Sequence, residues 1–138
     1  MALIQTPDSS VLIPALQVGH PNHEEARKVL SRMQLRITGH VALETFAALT
    51  SAAYKPRTSA RAAAAAIAQL DANPLTLSSQ GYVDLIDKAG EGSLMGGAIF
   101  DALIAITAAQ HGAKLISRDK RAAVTYKTLA VDFEMLTE

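Results

Sequence analysis

The chain has 138 residues and no cysteine, with 13 Lys or Arg balanced by 13 Asp or Glu. That length suits one compact domain with a real core, and 49% apolar against 19% charged residues marks a globular chain rather than a disordered one. Disulfides, thiolate metal sites and cysteine nucleophiles are excluded, while carboxylate sites for hard cations stay open.

The zero net charge speaks weakly against nucleic-acid binding, because an acidic metal site cancels basic residues in the sum. Pro7-Asp8 interrupts the first apolar stretch, and no positively charged leader precedes it. Apolar runs such as Ala62 to Ala68 fall well short of the ~20 residues that span a bilayer. A cytoplasmic protein with no membrane role is expected.

In chain order, Leu3-Ile4 reads as a short buried strand ending at Pro7, since proline cannot donate to a sheet ladder. Asp8-Ser9-Ser10 leads into a short apolar segment, Val11 to Leu16, and Gly19 to Asn22 is a turn. The spacing predicts a helix over His23 to Leu35, with Ala26, Val29, Leu30 and Met33 on one face and Glu24 and Glu25 in the first turn. Arg36 to Thr38 is a second strand, and Val41 to Tyr54 a helix stopped by Lys55-Pro56. Ser59 caps an alanine-rich helix reaching about Asp71, Leu75 to Leu77 alternates as a third strand, and Ser79 starts a helix to about Gly90. Glu91 to Gly97 is a loop with three glycines, followed by an apolar helix over Ala98 to Gln110 with Gly112 as its C-terminal cap. Lys114 to Ser117 forms a fourth strand, Lys120 to Thr128 a last helix, and Phe133 to Leu136 an edge strand. Short strands alternating with longer helices imply a single α/β domain over residues 1–138, with a parallel sheet flanked by helices.

Two carboxylates sit in apolar surroundings. Asp101 lies in Ala98-Ile99-Phe100-Asp101-Ala102-Leu103-Ile104, and Glu44 in Val41-Ala42-Leu43-Glu44-Thr45-Phe46. Burying an ionised carboxylate without a partner costs several kcal/mol. Asp101 in a first helical turn also suits the helix dipole, and a lone helical Glu is ordinarily solvated. Asp8 and Asp119 fall just past strand ends, where ligands of parallel sheets bind; an Asx turn and a helix cap are the plain alternatives. One divalent cation satisfies all four, since Mg²⁺ and Mn²⁺ favour hard oxygen ligands.

At these residues the chain resembles PIN-domain ribonucleases of the VapC toxin type. Asp8-Ser9-Ser10-Val11-Leu12 resembles the family's first motif, Gly96 to Ala105 the stretch holding its third acidic residue, and Ala113 to Asp119 the strand and fourth acidic residue. Glu44 falls where the second is expected, and the likeness runs over essentially the whole chain. Pro7 departs from the pattern, where the family usually carries an apolar strand residue. The resemblance implies a three-layer fold and an endoribonuclease toxin of a toxin–antitoxin pair. It further implies that Asp8, Glu44, Asp101 and Asp119 hold Mg²⁺ or Mn²⁺, with Ser9, Ser10 and Ser117 orienting them or binding water. RNA, a cognate antitoxin protein and a second copy of the chain are the expected partners. The homodimer is also suggested by more apolar helix face between Val11 and Leu49 than one small sheet needs.

Two basic groups suit RNA phosphates: Arg118, Lys120 and Arg121 beside Asp119, and Lys55, Arg57 and Arg61 around Pro56. Each also reads as solvated charge. His20, His23, His40 and His111 lack metal-ligand or triad spacing and read as surface or cap residues. No Gly-x-Ser-x-Gly elbow, Walker loop or Gly-x-Gly-x-x-Gly is present. Two rivals remain. One is a catalytically silent scaffold of the same fold. The other is a receiver-like Mg²⁺-binding signalling module, which needs a phosphoacceptor after the central strand, where Leu75-Thr76-Leu77 is followed by Ser78-Ser79.

Overall fold

A computed structural model describes residues 3–32 and 34–136. Four strands, β1 (Ile4–Pro7), β2 (Gln34–Leu35), β3 (Lys114–Ser117) and β4 (Phe133–Met135), form one sheet in the order β2-β1-β3-β4. Every pairing in it is parallel. The helices are α1 (Ser9–Leu16), α2 (His23–Ser31), α3 (Gly39–Thr50), α4 (Ala60–Leu70), α5 (Ser79–Lys88), α6 (Ala98–Gln110) and α7 (Lys120–Thr128). Successive strand residues point to opposite faces, and Leu115 and Ile116 of β3 are both fully buried. Both faces of the sheet are therefore covered, as the α/β reading requires. Val11, Leu12, Ile37, Val41, Leu115, Ile116 and Tyr126 belong to the main core cluster.

The strand ends explain how the chain turns into its helices. β1 does end at Pro7, and the ladder closes one residue on, where Asp8 N donates to Ile116 O at 2.9 Å. Asp8 then caps α1 and Asp119 caps α7, each accepting from backbone N–H groups of the first turn. Ser59 caps α4 as expected, and Gly112 adopts φ 66° just past α6, a left-handed conformation that suits glycine.

Several boundaries differ from the pattern-based ones. The second strand is Gln34–Leu35, not Arg36 to Thr38: Arg36 N still donates to Gln5 O, but Asp71 takes the following N–H, its Oδ2 accepting from Ile37 N at 3.0 Å and Arg36 Nε at 2.8 Å. Leu75 to Leu77 is no strand but a single parallel bridge, Thr38 to Leu75, since Thr38 immediately caps α3 and Ser78 caps α5. The second helix stops at Ser31; Met33, assigned above to its inner face, lies outside the described residues. Ser79 starts α5 as expected, with Ser78 as its N-cap, and the loop after it opens with a π-helical turn over Ala89–Ser93.

Asp71 thus fastens the exit of β2 to the end of α4. Its Oδ1 also accepts from Asn73 N at 3.0 Å. Burial raises its pKa, but hydrogen bonds from Arg36, Ile37 and Asn73 outweigh that and hold the carboxyl below its ordinary value. Asp71→Ala strands the Ile37 N–H and removes the carboxylate partner of Arg36 Nε, leaving Arg36 its bond to Asn73 O. We expect a loss of about 1–3 kcal/mol in urea unfolding, against near-neutral effects of alanine at exposed Gln69.

Candidate metal centre

All four acidic residues singled out in the sequence converge beyond the carboxyl ends of β1 and β3. Asp8 follows β1 directly, and Asp119 lies two residues past β3. Glu44 sits on the second turn of α3, and Asp101 in the first turn of α6. The clearest sign of their proximity is Asp101, whose pKa is pushed up to about 6 by burial and then by the charges of Asp119, Asp8 and Glu44. Arg121 is the cation that opposes this shift. Glu44 is raised as well, by burial and by Asp8, with His40 acting against both.

Asp8 is the most enclosed, at 3% exposure. Its Oδ1 accepts from Ser10 N at 3.1 Å and from the Ser10 hydroxyl, and its Oδ2 accepts from the Tyr126 hydroxyl at 2.8 Å. Burial raises the Asp8 pKa, while the hydroxyls of Ser10, Ser117 and Tyr126 counter it. Ser10 Oγ also accepts from Arg118 N at 2.8 Å, and Ser117 Oγ accepts from Asp119 N at 3.0 Å. Ser10 and Ser117 therefore tie the two strand ends together. Ser9 opens α1 outside this network.

Two residues of the site escaped the sequence reading. Tyr126 is wholly buried, and its pKa is raised by burial and by Asp8; only its inward position on α7, one turn past Ala122, hinted at it. His40 was read as a surface or cap residue. Its Nε2 stands 3.6 Å from Glu44 Oε1, and its ring stacks on Phe100 with centroids 5.2 Å apart. The other histidines do bind backbone: His23 donates to Pro14 O, His111 donates to Thr76 O, and His20 accepts from Asn22 N.

The basic candidates divide. Arg118 turns to Glu25 on α2 at 3.1 Å, with a side chain only 9% exposed, so it is engaged within the fold. Lys120 and Arg121 are exposed at the start of α7, and Lys55, Arg57 and Arg61 are exposed around the α3–α4 connection.

Among the described residues no three acidic or histidine side chains cluster tightly enough to chelate one ion as they stand. The donor set nevertheless fits a hydrated hard cation. Mg²⁺ keeps several waters and takes one or two carboxylates, not a cage of protein ligands. Glu44 Oε1 is buried without a hydrogen-bond donor, which leaves it available. Asp119 makes both cap bonds through Oδ1.

The raised Asp101 pKa has a consequence for stability. A carboxyl whose folded pKa exceeds its ordinary 3.8 stabilises the fold below that value, and the contribution is lost as pH rises through about 6. In EDTA, Asp101→Asn is expected to melt above wild type at pH 8, with the gap shrinking towards pH 5. A gap that widens on acidification contradicts the assigned repulsion.

Residues 6–127 match the PIN domain family. The chain is 38% identical over 132 residues to Ribonuclease VapC40 of Mycobacterium tuberculosis, strains CDC 1551 / Oshkosh and ATCC 25618 / H37Rv; the match spans 95% of this chain and 98% of that protein. Ribonuclease VapC27 of strain ATCC 25618 / H37Rv is 35% identical over 124 residues, 90% of each chain. The matched region runs from within β1 into α7, enclosing all four carboxylates and Tyr126. This chain belongs to the PIN-domain family, alongside its VapC-type members.

Proposed function

We propose that this protein is a Mg²⁺- or Mn²⁺-dependent endoribonuclease, the toxin half of a toxin–antitoxin pair. The observation that carries the reading is the placement of four carboxylates at one sheet end, where burial and then the charges of Asp119, Asp8 and Glu44 raise the Asp101 pKa against Arg121. Such an arrangement destabilises the protein unless it serves an ion. The ribonuclease names of the similar VapC40 and VapC27 support the same reaction class.

Asp8, Glu44, Asp101 and Asp119 would hold the ion. When bound, it supplies a lowered pKa for an attacking water and neutralises charge on the phosphodiester. The chain's own residues fix the geometry. Ser10 and Tyr126 clamp the Asp8 carboxylate from both oxygens, and the cap bonds of Asp119 hold it against α7. Exposed Lys120 and Arg121 meet RNA phosphates, with Arg121 close enough to be felt by Asp101.

Asp8→Asn and Asp101→Asn are each expected to abolish RNA cleavage while preserving the circular dichroism spectrum. Mn²⁺ at a hundredfold excess over its dissociation constant should stabilise the wild type by on the order of 3 kcal/mol. That appears as a rise of several degrees in Tm, blunted by Asp119→Asn and erased by EDTA. Cleavage by Asp101→Asn at the wild-type rate refutes the mechanism, and a melting curve indifferent to millimolar Mn²⁺ favours the silent scaffold.

The partners follow from the same reading: an antitoxin protein and a second copy of the chain. Leu43, Tyr82, Val83, Ile86 and Met95 are 50–76% exposed, an apolar display that a monomer has no use for. Light scattering at high micromolar concentration should report a dimer. A clean monomer there removes the second copy from the list.

A further inference from the structure

Beside the carboxylates stands an aromatic pair with no part in binding an ion. We propose that Phe100 and His40 form a subsite on which a nucleobase of single-stranded RNA stacks. The inference rests on the ribonuclease reading and adds where the substrate's base lies.

The two rings come from different helices. Phe100 directly precedes Asp101 on α6, and His40 stands one turn before Glu44 on α3. Their planes differ by only 3°. His40 thus backs Phe100 and fixes its orientation. Phe100 remains 52% exposed even so. A groove of about 510 Å³ begins at His40 and continues along Leu43, Leu103, Thr107 and Tyr82.

Sequence-tolerant RNA binding uses such half-covered rings, because every base has a π-face and unstacked bases splay onto aromatic side chains. The placement suits a base next to the cleaved bond. Phe100 and His40 each lie within one helical turn of a carboxylate, while the exposed cations Lys120 and Arg121 stand on α7 for the phosphates. An apolar contact with another copy of the chain explains the exposure of Phe100, but not the histidine stacked parallel to it.

The chain contains no tryptophan, so Phe100→Trp installs a single fluorescent reporter. In EDTA, a short unstructured RNA oligonucleotide should quench it saturably, with emission independent of protein concentration before RNA is added. With Mn²⁺ present, Phe100→Leu should raise KM for RNA roughly tenfold or more, with the loss carried by KM rather than kcat. No quenching in a Phe100→Trp protein that cleaves RNA, or a wild-type KM for Phe100→Leu, overturns the subsite and leaves the nuclease reading intact. Emission that shifts on dilution without RNA places Phe100 in a contact between copies and also overturns it. Quenching of the Phe100→Trp protein by RNA, when the wild-type chain never cleaves RNA, refutes the nuclease reading while the subsite stands, and failure of both removes both.

Discussion

Three register pairs lock the central strands in parallel, Gln5 with Lys114, Thr6 with Leu115 and Pro7 with Ile116, and the site hangs on that ladder. Parallel strands deliver their carboxyl ends to the same edge. Asp8 and Asp119, separated by most of the chain, are thereby brought within electrostatic reach of the same Asp101. Pro7 lacks an N–H, yet the Asp8 N–H restores a bond to Ile116 O at the last position. The departure at Pro7 therefore costs the sheet little, and the backbone of Asp8 is anchored by the ladder itself.

The gathered carboxylates oppose folding, and the fold offsets this with local donors instead of cations. Asp8 receives Ser10 and Tyr126, and Asp119 receives the first backbone N–H groups of α7. These bonds do two jobs. They satisfy helix ends that need an acceptor in any case, and they hold carboxylates close together that would otherwise separate. Asp101 and Glu44 have no such donors, and burial with neighbouring charge raises their pKa values, while at Asp8 the donors oppose the rise that burial causes. The cap readings of Asp8 and Asp119 and their ion-binding reading are therefore compatible, since one carboxylate geometry serves both.

Charge distribution also accounts for the neutral total. Arg36 and Arg118 are consumed internally by Asp71 and Glu25, and Lys114 pairs with Glu134. Exposed cations remain at the start of α7 and around the α3–α4 connection. A zero sum of charges thus coexists with acidic residues gathered at one sheet end and exposed cations elsewhere, and arguing partners from net charge alone discards that pattern.

The sequence alone determined the α/β class and the positions of most helices, from apolar periodicity and turn residues at element ends. Carboxylates in apolar runs or just past strands drew notice to Asp8, Glu44, Asp101 and Asp119, but only the resemblance to VapC-type PIN domains joined them into one candidate site. The strand at Lys114–Ser117 and the helix over Ala98–Gln110 were legible because their apolar runs are bounded by glycine, aspartate or charge. Tertiary structure decided what local pattern does not encode. Arg36 to Thr38 looks like a strand, but Asp71, just past the end of α4, captures the Ile37 N–H. Leu75 to Leu77 alternates like a strand, but helix caps on either side leave it one bridge. The buried hydrogen bond between Tyr126 and Asp8, the diversion of Arg118 to Glu25 and the stacking of His40 on Phe100 each join residues distant in sequence. Such contacts depend on which faces the packed helices present, and that is fixed only when the β1–β3 ladder has set their positions.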